Sequence, residues 1–267
     1  MELHVPALSI VFMTISLIGV CVIPIMLLVF FRIKYRCSIL PFFIGCAVML
    51  LFAFVLEQLF HALILGSEAG IRIRGTTWMY ALYGGCMAGL FEETGRFLAF
   101  RTILHKYQNN DANALMYGAG HGGFEAVVIL GIAMLNNLIL SIVLNLNMTE
   151  SITGSLPPES LSAYTEAFQT LAESAPHIYL LGITERCSAI LLHISLSVIV
   201  WFSVKNKRYP LFIFAIAFHA VADIVTVLLS TAGLNPWGIE AVIFLIASAS
   251  SGIAYFIWKR ERDGYYY

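Results

Sequence analysis

The sequence predicts an all-α protein: a polytopic membrane bundle of about seven transmembrane helices, N-terminus out and C-terminus in. Three observations predict it. The chain has 267 residues, of which 60% are hydrophobic and only 12% charged; a soluble domain carries about twice that charged fraction. Its mean hydropathy is +0.85. Its apolar runs are long enough to cross a bilayer, which takes roughly 20 residues each. Its basic residues gather at alternate ends of those runs.

Spans are expected near 8–31, 39–65, 77–101, 114–146, 177–204, 209–231 and 236–258. The first reads as a span entered from outside, not a signal peptide: Glu2 and His4 precede it without Lys or Arg, and the apolar run is too long. The fourth is too long for one straight crossing, so a tilt, a break or a projecting end is expected. Gly118, Gly120, Gly122 and Gly123 make its beginning the weakest stretch.

One set of ends carries Arg32, Lys34, Arg36, Arg101, Lys106, Lys205, Lys207, Arg208, Lys259, Arg260 and Arg262; the other carries Arg72 and Arg74. The positive-inside rule then places the C-terminus in the cytosol. The whole of 1–267 reads as a single transmembrane domain. Residues 147–176 form an extracytoplasmic loop with four glutamates and no Lys or Arg, where 159–173 could make a surface helix. Residues 259–267 read as a basic, solvated cytoplasmic tail. Membrane lipid is one implied partner. No basic stripe with interleaved aromatics exists, so nucleic acid is excluded. The five cysteines are odd in number and none lies in an outer loop, which argues against a disulfide framework.

Several spans break their own apolar rule. Glu92, Glu93 and Arg96 sit in the third, His121 and Glu125 in the fourth, His193 in the fifth, and His219 and Asp223 in the sixth. Charge at bilayer depth costs several kcal/mol, so such residues face a bundle interior or a wet cavity. At 1.5 Å per residue, Glu92 lies about 14 Å from the cytosolic end of its span, His121 about 10 Å, His219 about 15 Å and His193 about 17 Å. Four helices thus offer an acid or a histidine at one level. Glu92 and Arg96, His121 and Glu125, and His219 and Asp223 are each four apart, so each pair shares a helix face. Glu92 and Glu93 point about 100° apart, which gives them different roles.

A carboxylate with several histidines can hold a divalent metal and activate water. A metal-free version uses a glutamate base and histidine oxyanion donors. A single histidine at this depth can equally be a helix–helix hydrogen bonder, and Arg96 can simply neutralise Glu92 or Glu93. No H-E-x-x-H or G-x-S-x-G motif is present. A second polar group, Glu57, His61, Glu185 and Arg186, lies nearer the outside; it reads as a structural ion pair or as the lining of a substrate entrance.

The strings Glu92-Glu93-Thr94-Gly95-Arg96, Gly118-Ala119-Gly120-His121-Gly122-Gly123-Phe124-Glu125, Glu185-Arg186 with His193, and His219-Ala220-Val221-Ala222-Asp223 resemble the bacterial YhfC family of intramembrane metalloproteases. That family is similar to the type II CAAX prenyl endopeptidases, the PrsW proteases and the scaffold subunit of gamma-secretase. The resemblance covers nearly the whole chain. It implies a multi-pass protein of the bacterial plasma membrane that cuts a peptide or membrane-protein substrate near the cytosolic face. It makes Glu92 the water-activating base, with Glu93, Arg96 and Glu125 completing the catalytic group. It makes His121, His193, His219 and Asp223 the ligands of a divalent metal, with zinc expected. Arg96 stands one position earlier than in most CAAX-type enzymes, and Asp223 stands where many relatives have Asn. The scaffold subunit shares this architecture without being a protease, so a non-catalytic scaffold is the alternative reading. A transporter using the same pocket is another, though it would show inverted repeats that this sequence lacks.

Overall fold

The computed structural model describes residues 3–154 and 157–263. Glu2 and residues 264–267 of the expected tail lie outside the described residues. The regular structure described is entirely helical. Helix α1 spans Ala7–Tyr35, α2 Leu40–Leu65, α3 Glu68–Arg74 and α4 Thr77–Arg101. Helix α5 spans Asn113–Asn145, α6 Thr149–Thr153, α7 Pro158–Glu173, α8 Ile178–Lys205, α9 Tyr209–Thr231 and α10 Pro236–Asp263.

The seven expected spans correspond to α1, α2, α4, α5, α8, α9 and α10. Six of these are long and apolar enough to cross a membrane; α4 is long enough, at 25 residues, but does not meet the same measure. The reason is its content: Glu92, Glu93 and Arg96 are in its C-terminal half and Arg101 ends it. Local rules explain the ends. Pro41 and Pro210 sit in the first turns of α2 and α9, where a missing N–H costs nothing. Ser67 caps α3 by accepting from the Gly70 amide at 3.3 Å.

Of the tilt, break or projecting end expected for the long fourth span, no break is seen: Asn113–Asn145 is one continuous helix that changes its winding once. Residues 113–126 are continuous α-helix, and a π-helical segment follows at Val127–Gly131. Helix α2 has a second π segment at Phe52–Glu57. Glu125 lies two residues before the first and Glu57 ends the second, which fits the tendency of π-bulges to mark functional positions. The loop 147–176 contains α6 and α7, and α7 covers the expected surface helix. Residues 259–263 continue α10, and Glu261 is buried against Arg208 at 2.8 Å and the Asn206 amide at 2.9 Å. The expected tail is therefore helix over that stretch, because an acid inside it finds two partners.

The chain divides into two compact units. One comprises residues up to Val22 and Ala126–Arg186. There the Ser16 hydroxyl donates to the Tyr179 carbonyl at 2.6 Å, and the Asn145 side chain holds both backbone groups of Val5 at 2.8 and 3.0 Å. Arg186 pairs with Glu185. The other unit comprises Ile23–Glu125 and Cys187–Tyr267. Its core includes Phe100, Leu104, Tyr117, Leu196, Ile199, Trp201 and Phe202, all fully buried. Five consecutive residues of α8, Val198 to Phe202, are buried, as befits a helix surrounded on every side. All five cysteines are free thiols; in the loop after α1, burial pushes the Cys37 thiol up to about 11.

Candidate metal centre

Glycines bring the polar residues together. Gly85 and Gly89 of α4 are one turn apart and face α9. A Cβ at Gly89 would lie 2.7 Å from the Ile216 carbonyl oxygen, and one at Gly85 would lie 2.6 Å from that of Ala220. No side chain larger than hydrogen fits there, so the two backbones touch. That approach sets His219 of α9 against Glu93 of α4, Nδ1 to Oε1 at 2.8 Å. Helix α5 repeats the device against α8. A Cβ at Gly118 would lie 2.5 Å from the Ile194 Cα, and one at Gly122 would lie 3.0 Å from the His193 Cβ. The other side of the same run packs on Phe42 through Gly120 and on Pro24 through Gly123. The glycine run is thus a packing surface on two sides, and its helix is held from outside rather than weak.

Glu92, Glu93, Arg96, His121, His193 and His219 are all buried. Arg96 pairs with Glu93, three residues before it, and its Nη2 donates to His193 Nδ1 at 3.1 Å. A guanidinium can only donate, so His193 Nδ1 is an acceptor and its proton sits on Nε2. That Nε2 faces Glu125 Oε2 at 2.6 Å. His219 Nδ1–H donates to Glu93, leaving its Nε2 lone pair 3.6 Å from Asp223 Oδ2, too far for a good hydrogen bond. His121 Nε2 donates to Glu92 Oε2 at 3.0 Å, and its ring stacks on Tyr117 at 5.7 Å. The His193 ring lies 5.1 Å from that of His121 and 5.3 Å from that of His219.

These contacts differ from the pairs expected within each helix. His121 and Glu125 share a face, yet His121 turns to Glu92 and Glu125 turns to His193. For His121 and Glu125, interhelical partners at hydrogen-bond distance outcompete a neighbour one turn away. Of the two acids expected to neutralise Arg96, it takes Glu93, within the same helix. Among the described residues, one group of His, Cys, Asp and Glu has ligand atoms all within 4.8 Å of one another: Glu92, His193 and His219. His121 and Asp223 lie outside that group. Helix-face spacing gave no signal for Tyr117 or for the Gly85–Gly89 stripe; a search for small residues four apart would have found the stripe.

One carboxylate and two imidazoles match the donor set of catalytic zinc, whose remaining position takes a water or substrate. The tautomers also fit. His193 presents Nδ1 and His219 presents Nε2, while Glu125 and Glu93 hold the opposite nitrogens, the arrangement that orients ligand histidines. Glu57 accepts from His61 Nε2 at 3.1 Å, and His61 Nδ1 meets the Tyr83 hydroxyl at 2.8 Å.

The YhfC intramembrane metalloprotease family matches residues 19–244, which include every residue of this centre. The chain belongs to that family. It is also 31% identical over 257 residues to the uncharacterized membrane protein YhfC of Bacillus subtilis (strain 168), covering 95% of this chain and 97% of that one. No solved structure matches. This YhfC-family chain is a multi-pass membrane protein by its helices and its relative, and the family's name implies a metal.

Proposed function

We propose that the chain is an intramembrane endopeptidase of the cell membrane, hydrolysing a peptide bond of a peptide or membrane-protein substrate near the cytosolic face. The observation that carries this reading is the buried group of Glu92, His193 and His219, whose ligand atoms lie within 4.8 Å of one another. His193 and His219 would hold a divalent metal, for which zinc suits the donor set, with Glu92 close enough to share it. Such a metal supplies a lowered water pKa and a polarised carbonyl.

The residues supply the rest. Glu92, oriented by the His121 Nε2–H, takes a proton from water as its oxygen bonds to the scissile carbonyl carbon. It passes that proton to the departing amide nitrogen as the C–N bond breaks. Glu93 and Glu125 fix the tautomers of His219 and His193. Arg96 pairs with Glu93 and holds His193 Nδ1 until a ligand displaces it. Arg96 is thereby occupied, so an oxyanion role for it is not part of this proposal.

The test is Glu92→Gln. Gln keeps the size and can still accept from His121, but it cannot take a proton. Cleavage of a physiological substrate in proteoliposomes should fall by about 10²–10⁴-fold with the thermal midpoint unchanged. Full cleavage by a stable variant would reject the mechanism and favour a non-catalytic scaffold.

A further inference from the structure

A second concavity in the larger unit is separate from the buried histidines. It lies where α8 and α10 flank the beginning of α5, and it has a volume of about 570 Å³. Helix α8 lines it with Leu191, Ile194, Ser195 and Val198, one stripe by helical spacing. His193 points away from that stripe, since successive residues turn by about 100°. Helix α10 contributes Ser251, Ala254, Trp258 and Arg262, again along one face. The small residues on both helices keep the space open.

Three polar residues that line this groove, Ser195, Asn110 and Asp111, are already engaged. The Ser195 hydroxyl donates to the Leu191 carbonyl of its own helix at 2.7 Å. The Asn110 side chain donates to the Tyr35 carbonyl at 3.0 Å and accepts from the Ala112 amide at 3.1 Å. Asp111 Oδ1 accepts from Trp201 Nε1 at 2.9 Å and from Lys205 Nζ at 2.6 Å. A peptide laid here would leave backbone groups unpaired, at several kcal/mol each in hydrocarbon. An alkyl chain has no such requirement.

The mouth has a different character. It lies at the basic end of the spans, and Arg262 is exposed there. Among the described residues no ion pair involves Arg262, while the adjacent Glu261 is taken by Arg208. Tyr35, Tyr255 and Trp258 border the same opening, as aromatic residues do at headgroup level. A basic opening between spans is suited to a lipid head group.

We propose that this groove holds one phospholipid, with an acyl chain between α8 and α10 and the phosphate at Arg262. The test uses full-length protein, stripped of lipid in mild detergent and titrated with phosphatidylglycerol brominated on its acyl chains. Tryptophan quenching should saturate at one lipid per protein, and the quenched signal should be absent in Trp258→Phe. Ala254→Leu, which fills the groove, should lose most of the quenching with an unchanged thermal midpoint. If that variant unfolds, Ser195→Leu on the facing helix makes the same test. Brominated diacylglycerol, which lacks the phosphate, should bind more weakly, and Arg262→Gln should erase that difference. Inorganic phosphate should not compete. Quenching that rises without saturation, that survives the filled groove, or that is equal for diacylglycerol would overturn the proposal. So would a lipid-free dimer closing the groove.

Discussion

At the scale of single residues, Glu92 and Glu93 are neighbours with separable duties. Glu93 neutralises Arg96 and anchors His219. Glu93→Gln strands a buried guanidinium, and breaking a buried pair on one side costs roughly 3–5 kcal/mol. Thermal unfolding in detergent should therefore show a marked loss for Glu93→Gln and none for Glu92→Gln. A reversed order would contradict the pairing. His193→Ala and His219→Ala should each deplete metal from purified protein, measured by elemental analysis. Glu125→Gln should weaken metal binding by about 10–100-fold, as loss of a ligand's hydrogen-bonding partner does. Unchanged metal in both alanine variants would dissolve the centre. Glu57→Gln should leave cleavage nearly intact, because Glu57 is spent on His61.

At the scale of elements, the helix contacts rest on glycine. At Gly89 the obstructing atoms are the Ile216 carbonyl and the Ala220 amide, which cannot rotate aside as a side chain can. Gly89→Leu should therefore separate α4 from α9, at or above the roughly 1–3 kcal/mol typical of overpacking. It should also reduce metal content, since Glu93 and His219 would part. Gly84 supplies the control: a Cβ there meets nothing within 4 Å. Gly84→Ala should be neutral or stabilise by up to about 1 kcal/mol through helix propensity. Comparing the two variants by melting temperature separates lost packing from the general effect of adding a methyl group. Equal stability of both would mean that the glycine stripe carries no close contact.

At the scale of the whole molecule, orientation follows from charge. Eleven basic residues flank one set of span ends and two flank the other. Reporter fusions should be active in the cytoplasm when placed after α10 and outside it when placed between α6 and α7. A C-terminal reporter active outside would invert the topology. The approximate helix count was legible in the sequence. Hydrocarbon demands internally satisfied backbone over a known thickness, so apolar run length and span number are tied together.

Apolar runs, their lengths and the placement of basic residues were set by the sequence alone, because the bilayer acts on each segment independently. The same reasoning singled out Glu92, Glu93, Arg96, His121, His193 and His219, since each is an expensive residue in its own helix. Their partners were decided only in three dimensions. Helical spacing joined His121 to Glu125 and Glu92 to Arg96. The folded chain joins His121 to Glu92, His193 to Glu125 and Arg96 to His193. Spacing describes one helix at a time, whereas a hydrogen bond between helices depends on how closely two backbones approach. Here that distance is governed by Gly85, Gly89, Gly118 and Gly122, and a glycine's role becomes visible only once its facing atom is known.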